Sequence, residues 1–99
     1  MPDTLEQTNL AEQVRQQLSM VIDPEMGRSV VEMGLIYLIE VTAGGDAHIL
    51  MTTTTKGCPA SAFLREAIQA CAASVHGVKE VDVELTYNPP WNPSMMMTP

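Results

Sequence analysis

"LIYLIEVTAGGDAHILMTTT", residues 35–54, decides how this chain folds. Its first eight residues, 35–42, are rich in branched and aromatic side chains and read as a strand. "AGGD", residues 43–46, is a hairpin turn, because glycine supplies the positive φ that tight hairpins need. Residues 47–54, "AHILMTTT", then form the return strand, so the pair is antiparallel.

Working outward, Leu10, Val14, Leu18 and Val21 recur at helical spacing and predict a first helix over about residues 10–20. Asn9 followed by Glu12 resembles a capping box at its start. "DPEMG", residues 23–27, stops the helix, since Asp-Pro favours a turn and the residue before proline avoids helical geometry. Past the hairpin, residues 59–75 predict a second helix with Leu64, Ile68, Cys71 and Val75 on one face, and Gly77 ends it. In "KEVDVELTY", residues 79–87, Val81, Val83, Leu85 and Tyr87 alternate with Glu80, Asp82, Glu84 and Thr86, the pattern of a half-buried strand. The order helix-strand-strand-helix-strand predicts an α+β two-layer sandwich, a three-stranded mixed sheet with two helices on one face. The second and third strands, joined through a helix, should run parallel. The expected organisation is an N-terminal segment, 1–9, one domain, 10–88, and a Pro/Met-rich tail, 89–99.

The first strand is apolar on both sides, with Leu35, Tyr37, Ile39 and Val41 on one and Ile36 and Leu38 on the other. Its second face needs a cover, either the "NPPWNPSMMM" tail, residues 88–97, or a second copy of the chain. Trp91 is a packing anchor for such a cover or an exposed partner site.

Composition narrows the function. Twelve acidic residues against five basic ones give a net charge of −7, which is wrong for a phosphate-binding surface and argues against nucleic acid. No run approaches the ~20 apolar residues of a membrane span, and the start of the chain does not resemble a secretory signal. The expectation is a soluble cytoplasmic protein, where a structural disulfide between Cys58 and Cys71 is disfavoured. Neither cysteine belongs to a CxxC pair, and no phosphate-binding GxxxxGK[ST] loop is present.

"TTTTKGCPAS", residues 52–61, carries the chemistry. If Lys56 and Gly57 make the turn and Pro59 takes the first helical position, Cys58 is the helix N-cap. The unpaired N–H groups and positive dipole end there favour an anion, and the thiolate is the nucleophilic and metal-binding form of cysteine. Lys56 and the threonine hydroxyls would add to the effect. A small residue filling a crowded strand-to-helix corner explains Cys58 equally well on geometry. Cys71, in mid-helix on the apolar stripe, reads as core. Asp23 and Glu25 flank a proline and read first as turn-makers; His76 complements a helix C-terminus, and His48 faces outward from the second strand.

Taken together, "VIDPEMGRSVVEMGLIYLIEV", "MTTTTKGCP", "VKEVDVEL" and "NPPW" resemble the iron–sulfur cluster assembly domain of the SufT/PaaD-like, or metal–sulfur cluster biosynthetic, family, from about residue 10 to residue 97. The resemblance implies an α+β fold and a role in maturing iron–sulfur proteins, in a family of free-standing proteins and of domains attached to P-loop carrier ATPases. By position it makes Cys58 the motif cysteine, with Asp23, Glu25, Thr52, Thr54 and Thr55 around it and Gly34, Gly57, Pro59 and Trp91 as structural positions. Glu32, Thr53 and Lys56 depart from the family's usual aspartate, leucine and proline, and none removes a functional group.

The reading is a maturation factor, more readily non-enzymatic than enzymatic, acting on apo-proteins or a carrier through Cys58 as a transient ligand of iron or an iron–sulfur cluster, with no cofactor held stably. One accessible cysteine per chain falls short of the roughly four ligands a cluster takes, so a homodimer or a partner would complete the set. Two alternatives stay open. One is a thiol-dependent enzyme or redox protein using Cys58, with His48 or His76 as its histidine base. The other is an oxygenase-system accessory subunit, as the PaaD branch implies, although such relatives carry a cysteine-rich C-terminal segment not seen here.

Overall fold

A computed structural model describes residues 2–54 and 60–96, with side chains from residue 10 onward. The elements are α1 (Pro2–Leu18), β1 (Ile22–Asp23), β2 (Arg28–Ser29), β3 (Ile36–Val41), β4 (Asp46–Met51), α2 (Ala60–Ala73) and β5 (Glu80–Leu85), followed by a short 3-10 turn (Pro93–Met95). β3 and β4 form the antiparallel hairpin, β4 and β5 run parallel, and the sheet order is β3-β4-β5. The α+β fold and the mixed three-stranded sheet expected from the sequence are therefore what the chain adopts. The hairpin loop closes where the glycines lie: Gly45 N–H donates to Thr42 O at 3.0 Å, and Asp46 N–H to Thr42 Oγ1 at 3.1 Å.

Packing follows the predicted stripes. Val14 and Leu18 of α1 and Leu64, Ile68 and Ala72 of α2 are buried against Ala47, Ile49, Met51 and Val83 of the sheet. Burying each of the larger of these side chains contributes about 1.5–3 kcal/mol. Cys71 is partly buried at the margin of this core, as its place on the stripe predicts. The opposite face of β5 presents Glu80, Asp82 and Glu84 to solvent.

Three local readings change. The first helix begins at Pro2 instead of near residue 10, so Asn9 lies inside α1 and not at its start. Strong helix formers on both sides of Thr8 and Asn9 (Leu5, Glu6 and Gln7 before, Leu10, Ala11 and Glu12 after) carry the helix through two weak positions. The Asp-Pro-Glu turn is not a bare stop but the tip of a second hairpin, β1 with β2. Two-residue strands are too short for an alternation pattern to reveal. Finally, β4 ends at Met51, not at Thr54. Thr52 N–H still donates to Leu35 O at 2.8 Å, but Thr52 and Thr53 are both buried, which breaks the in–out alternation.

The C-terminal tail covers the start of β3. Tyr37 Oη donates to Pro89 O at 2.8 Å, and Trp91 Nε1 donates to Met33 O at 2.6 Å. Trp91 and Met96 pack, partly buried, against the core. A register shift between Ile36 and Leu38 resets the pleat, so Leu35 and Ile36 are both buried while Leu38 remains 39% exposed. Gly34 sets how close the tail comes. Its φ is 74°, and a Cβ there would collide with the Met95 carbonyl oxygen.

Gly34→Ala should therefore meet two penalties, left-handed strain and a backbone clash, and lose about 1–3 kcal/mol. Urea unfolding measures the loss, and Trp91 fluorescence shifts to the red as the tail lifts. A Gly34→Ala protein with wild-type stability and emission would contradict the close approach.

Candidate functional site

The residues singled out by the sequence gather at two places. The first is the β1–β2 hairpin. Asp23 is buried, 3% exposed, and its Oδ1 accepts the Glu25 N–H at 2.8 Å while its carbonyl accepts the Met26 and Gly27 N–H groups at 3.2 and 2.8 Å. The side chain thus folds the chain back over Pro24, and Gly27, with φ of 70°, completes the reversal. The Asp23 carboxylate is a turn-maker first. Glu25 is exposed at the tip.

The second place is the end of β4. Thr52 is fully buried, with its hydroxyl directed at the Thr53 carbonyl 3.4 Å away. Thr53 Oγ1 and Tyr87 Oη are 2.7 Å apart, tying the end of β4 to the chain beyond β5. Thr54 is partly buried at a bend. Thr55, Lys56, Gly57, Cys58 and Pro59 lie outside the described residues. α2 starts at Ala60, the second residue after Cys58 in the sequence.

One segment links the two places. Val30 N–H donates to Val21 O at 2.9 Å on the hairpin side, Leu35 N–H to Val30 O at 3.0 Å, and Thr52 N–H to Leu35 O at 2.8 Å. The hairpin and the threonine-rich strand end are thus joined through residues 30–35. No group of three or more metal-type side chains occurs among the described residues.

The Thr53–Tyr87 pair is not announced by the strand pattern of residues 79–87, in which Tyr87 is one more inward position. Two hydroxyl-bearing residues in an apolar setting were the available signal, because a buried hydroxyl needs a partner.

The histidines sit elsewhere. His48 lies on the outer face of β4, its Nδ1 2.9 Å from Asp82 Oδ2 and its Nε2 3.5 Å from Glu84 Oε1. His76 is exposed in the turn after α2. The fourteen residues of α2, at about 1.5 Å of rise each, put His76 roughly 20 Å from the helix start that follows Cys58.

Because Asp23 acts through an acceptor oxygen, Asp23→Asn should keep the turn and Asp23→Ala should lose it. The expected cost of alanine is about 1–2 kcal/mol in urea unfolding, against less than half of that for asparagine. Equal losses in both variants would mean that the Asp23 charge, not its turn bond, is what matters.

The chain is similar over most of its length to proteins whose names concern iron–sulfur clusters. It is 41% identical over 85 residues to a "Fe-S protein maturation auxiliary factor" of Porphyromonas gingivalis, covering 86% of this chain and 81% of that one. It is 34% identical over 87 residues to the "Fe-S protein maturation auxiliary factor YitW" of Bacillus subtilis, covering 88% and 85%. Among solved structures, a "Domain of Unknown Function DUF59" from Bacillus anthracis superposes with a TM-score of 0.89 at 31% identity, over 94% of this chain and 89% of that one. The family described as "Iron-sulfur cluster assembly protein" matches residues 11–85, and with that span and these relatives the chain belongs to it.

Proposed function

We propose that this protein is a maturation factor for iron–sulfur proteins and that Cys58 is its working thiol. Membership of the family and 41% identity to a protein named as such a factor support the role. The observation that carries the choice of residue is the start of α2 at Ala60, which leaves Cys58 two residues ahead of that helix in the sequence. A thiol at a helix entrance gains from the unpaired N–H groups and the dipole, and its thiolate is the form that binds iron. Cys71, partly buried on the helix stripe that packs on the sheet, is less suited as a second ligand.

Thr54 and Thr55, four and three residues before Cys58, would shape its surroundings, while Thr52 and Asp23 would act by holding the backbone in place. Glu25, exposed at the hairpin tip, is the carboxylate better suited to meet iron as cargo. A single working thiol leaves a cluster short of its roughly four ligands, so a second copy of this chain, a carrier such as a P-loop ATPase, or an apo client supplies the remainder. The thiol-enzyme alternative fares less well: His76 is at the wrong end of α2, and His48 has a carboxylate of β5 near each ring nitrogen. For the oxygenase-accessory alternative no observation speaks.

Anaerobic reconstitution with iron and sulfide tests the assignment on wild type, Cys58→Ser and Cys71→Ser. Weak, labile cluster absorbance should be present in wild type and Cys71→Ser and lost in Cys58→Ser. Equal loss in both variants, or in neither, would remove Cys58 from the role.

A further inference from the structure

An open groove of about 590 Å³ is lined by α1, the residues leading into β3, β3 and β4 themselves, and the C-terminal tail. Val31, Ile36, Leu50 and Met95 line it with apolar surface, and Tyr37 lies along it with its hydroxyl already engaged by Pro89 O. The one charged side chain in the lining is Arg15, from the last turn of α1. That position complements the helix dipole, but the dipole does not require the guanidinium to border an apolar groove. Arg15 is partly buried, and no carboxylate of the described residues lies within ion-pair distance of it. By contrast Arg28, also partly exposed, has Glu32 at 4.0 Å. In a chain with twelve acidic residues, an arginine that borders a largely apolar groove and has no ion-pair partner among the described residues is unusual, and its natural complement is an anion that brings its own apolar body.

We infer that this groove binds an organic monocarboxylate, with the carboxylate on the Arg15 guanidinium and an aliphatic or aryl body along Ile36, Leu50 and Met95. The size falls within the range of small-molecule sites, and a mostly apolar lining with a few polar groups, here Arg15, Tyr37 and Asn88, is their usual composition. The guanidinium offers a planar fork matched to two carboxylate oxygens. The groove also exists only while the tail is seated, because Met95 and Pro89 form one wall and are held by Gly34 and Tyr37. Occupancy therefore couples to docking of the tail.

The test is a two-dimensional NMR titration of the full chain with octanoate and with 4-phenylbutyrate, using octanamide as the uncharged control. Both acids should shift the Arg15 Nε–H signal and the methyl signals of Leu50 and Met95, and octanamide should bind more weakly than octanoate. Arg15→Gln, a mild change at a partly exposed helical site, should weaken octanoate about tenfold or more, as loss of a charge-assisted hydrogen bond predicts, and leave octanamide unchanged. Equal binding of octanamide and octanoate, an Arg15→Gln protein with wild-type affinity, or no shifts at the groove would each overturn the inference. Cys58→Ser should bind octanoate as wild type does, so the groove stands or falls independently of the proposed thiol.

Discussion

Between the small hairpin and the main sheet the chain reverses within the six residues Val30 to Leu35, and three distant parts of the molecule hydrogen-bond to that reversal. Val21 accepts from Val30, Thr52 donates to Leu35, and the indole of Trp91 donates to the carbonyl of Met33. Met33 is itself fully buried, so its carbonyl has no water to turn to and the indole is its compensation. Gly34 makes the arrangement possible, because only a residue at ease with φ of 74° and without a Cβ lets the tail reach this depth. The hairpin that carries Asp23, the strand end that carries the threonines and the tail that carries Trp91 are all indexed to this reversal. A disturbance there would be felt at each of them.

The larger elements were legible because each buries one face and therefore writes a period into the sequence. Val81, Val83 and Leu85 alternate with acids, Leu64 and Ile68 lie a helical turn apart, and the glycines at 44 and 45 announce the hairpin. What stayed illegible was set by contacts distant in sequence. The shift of register after Ile36 answers to the pairing with Met51 and to the tail lying over that end of β3, neither of which alternation encodes. The two-residue strands β1 and β2 are too short to carry a pattern at all. The start of α1 lies well before the local cap signal at Asn9, because helix-forming residues on either side of that signal outweigh it.

The candidate site was legible unevenly. Asp23 as turn-maker follows from Asp-Pro chemistry and is borne out by its bond to the Glu25 N–H. Trp91 as packing anchor follows from an apolar strand that needed a cover, and its indole indeed meets Met33. Thr52 illustrates the opposite case. Its residue type suggested a donor to sulfur, whereas its burial and its alignment with the Thr53 carbonyl give it a structural occupation. A sequence reports which hydroxyls exist. Only the packing decides where each one spends its proton.

The row of carboxylates on β5 has a bearing on how the molecule behaves in a crowd. β5 closes one side of the sheet, with no strand beyond it among the described residues, and Glu80, Asp82 and Glu84 all project from the same exposed face. Bringing two such borders together in register would set like charges against one another within a few ångströms, a repulsion that disfavours fibril-like stacking. His48 lies beside Asp82 and Glu84 on this face and leaves the row of three carboxylates in place. The chain can thus leave a sheet margin uncovered and still resist templating its own aggregation.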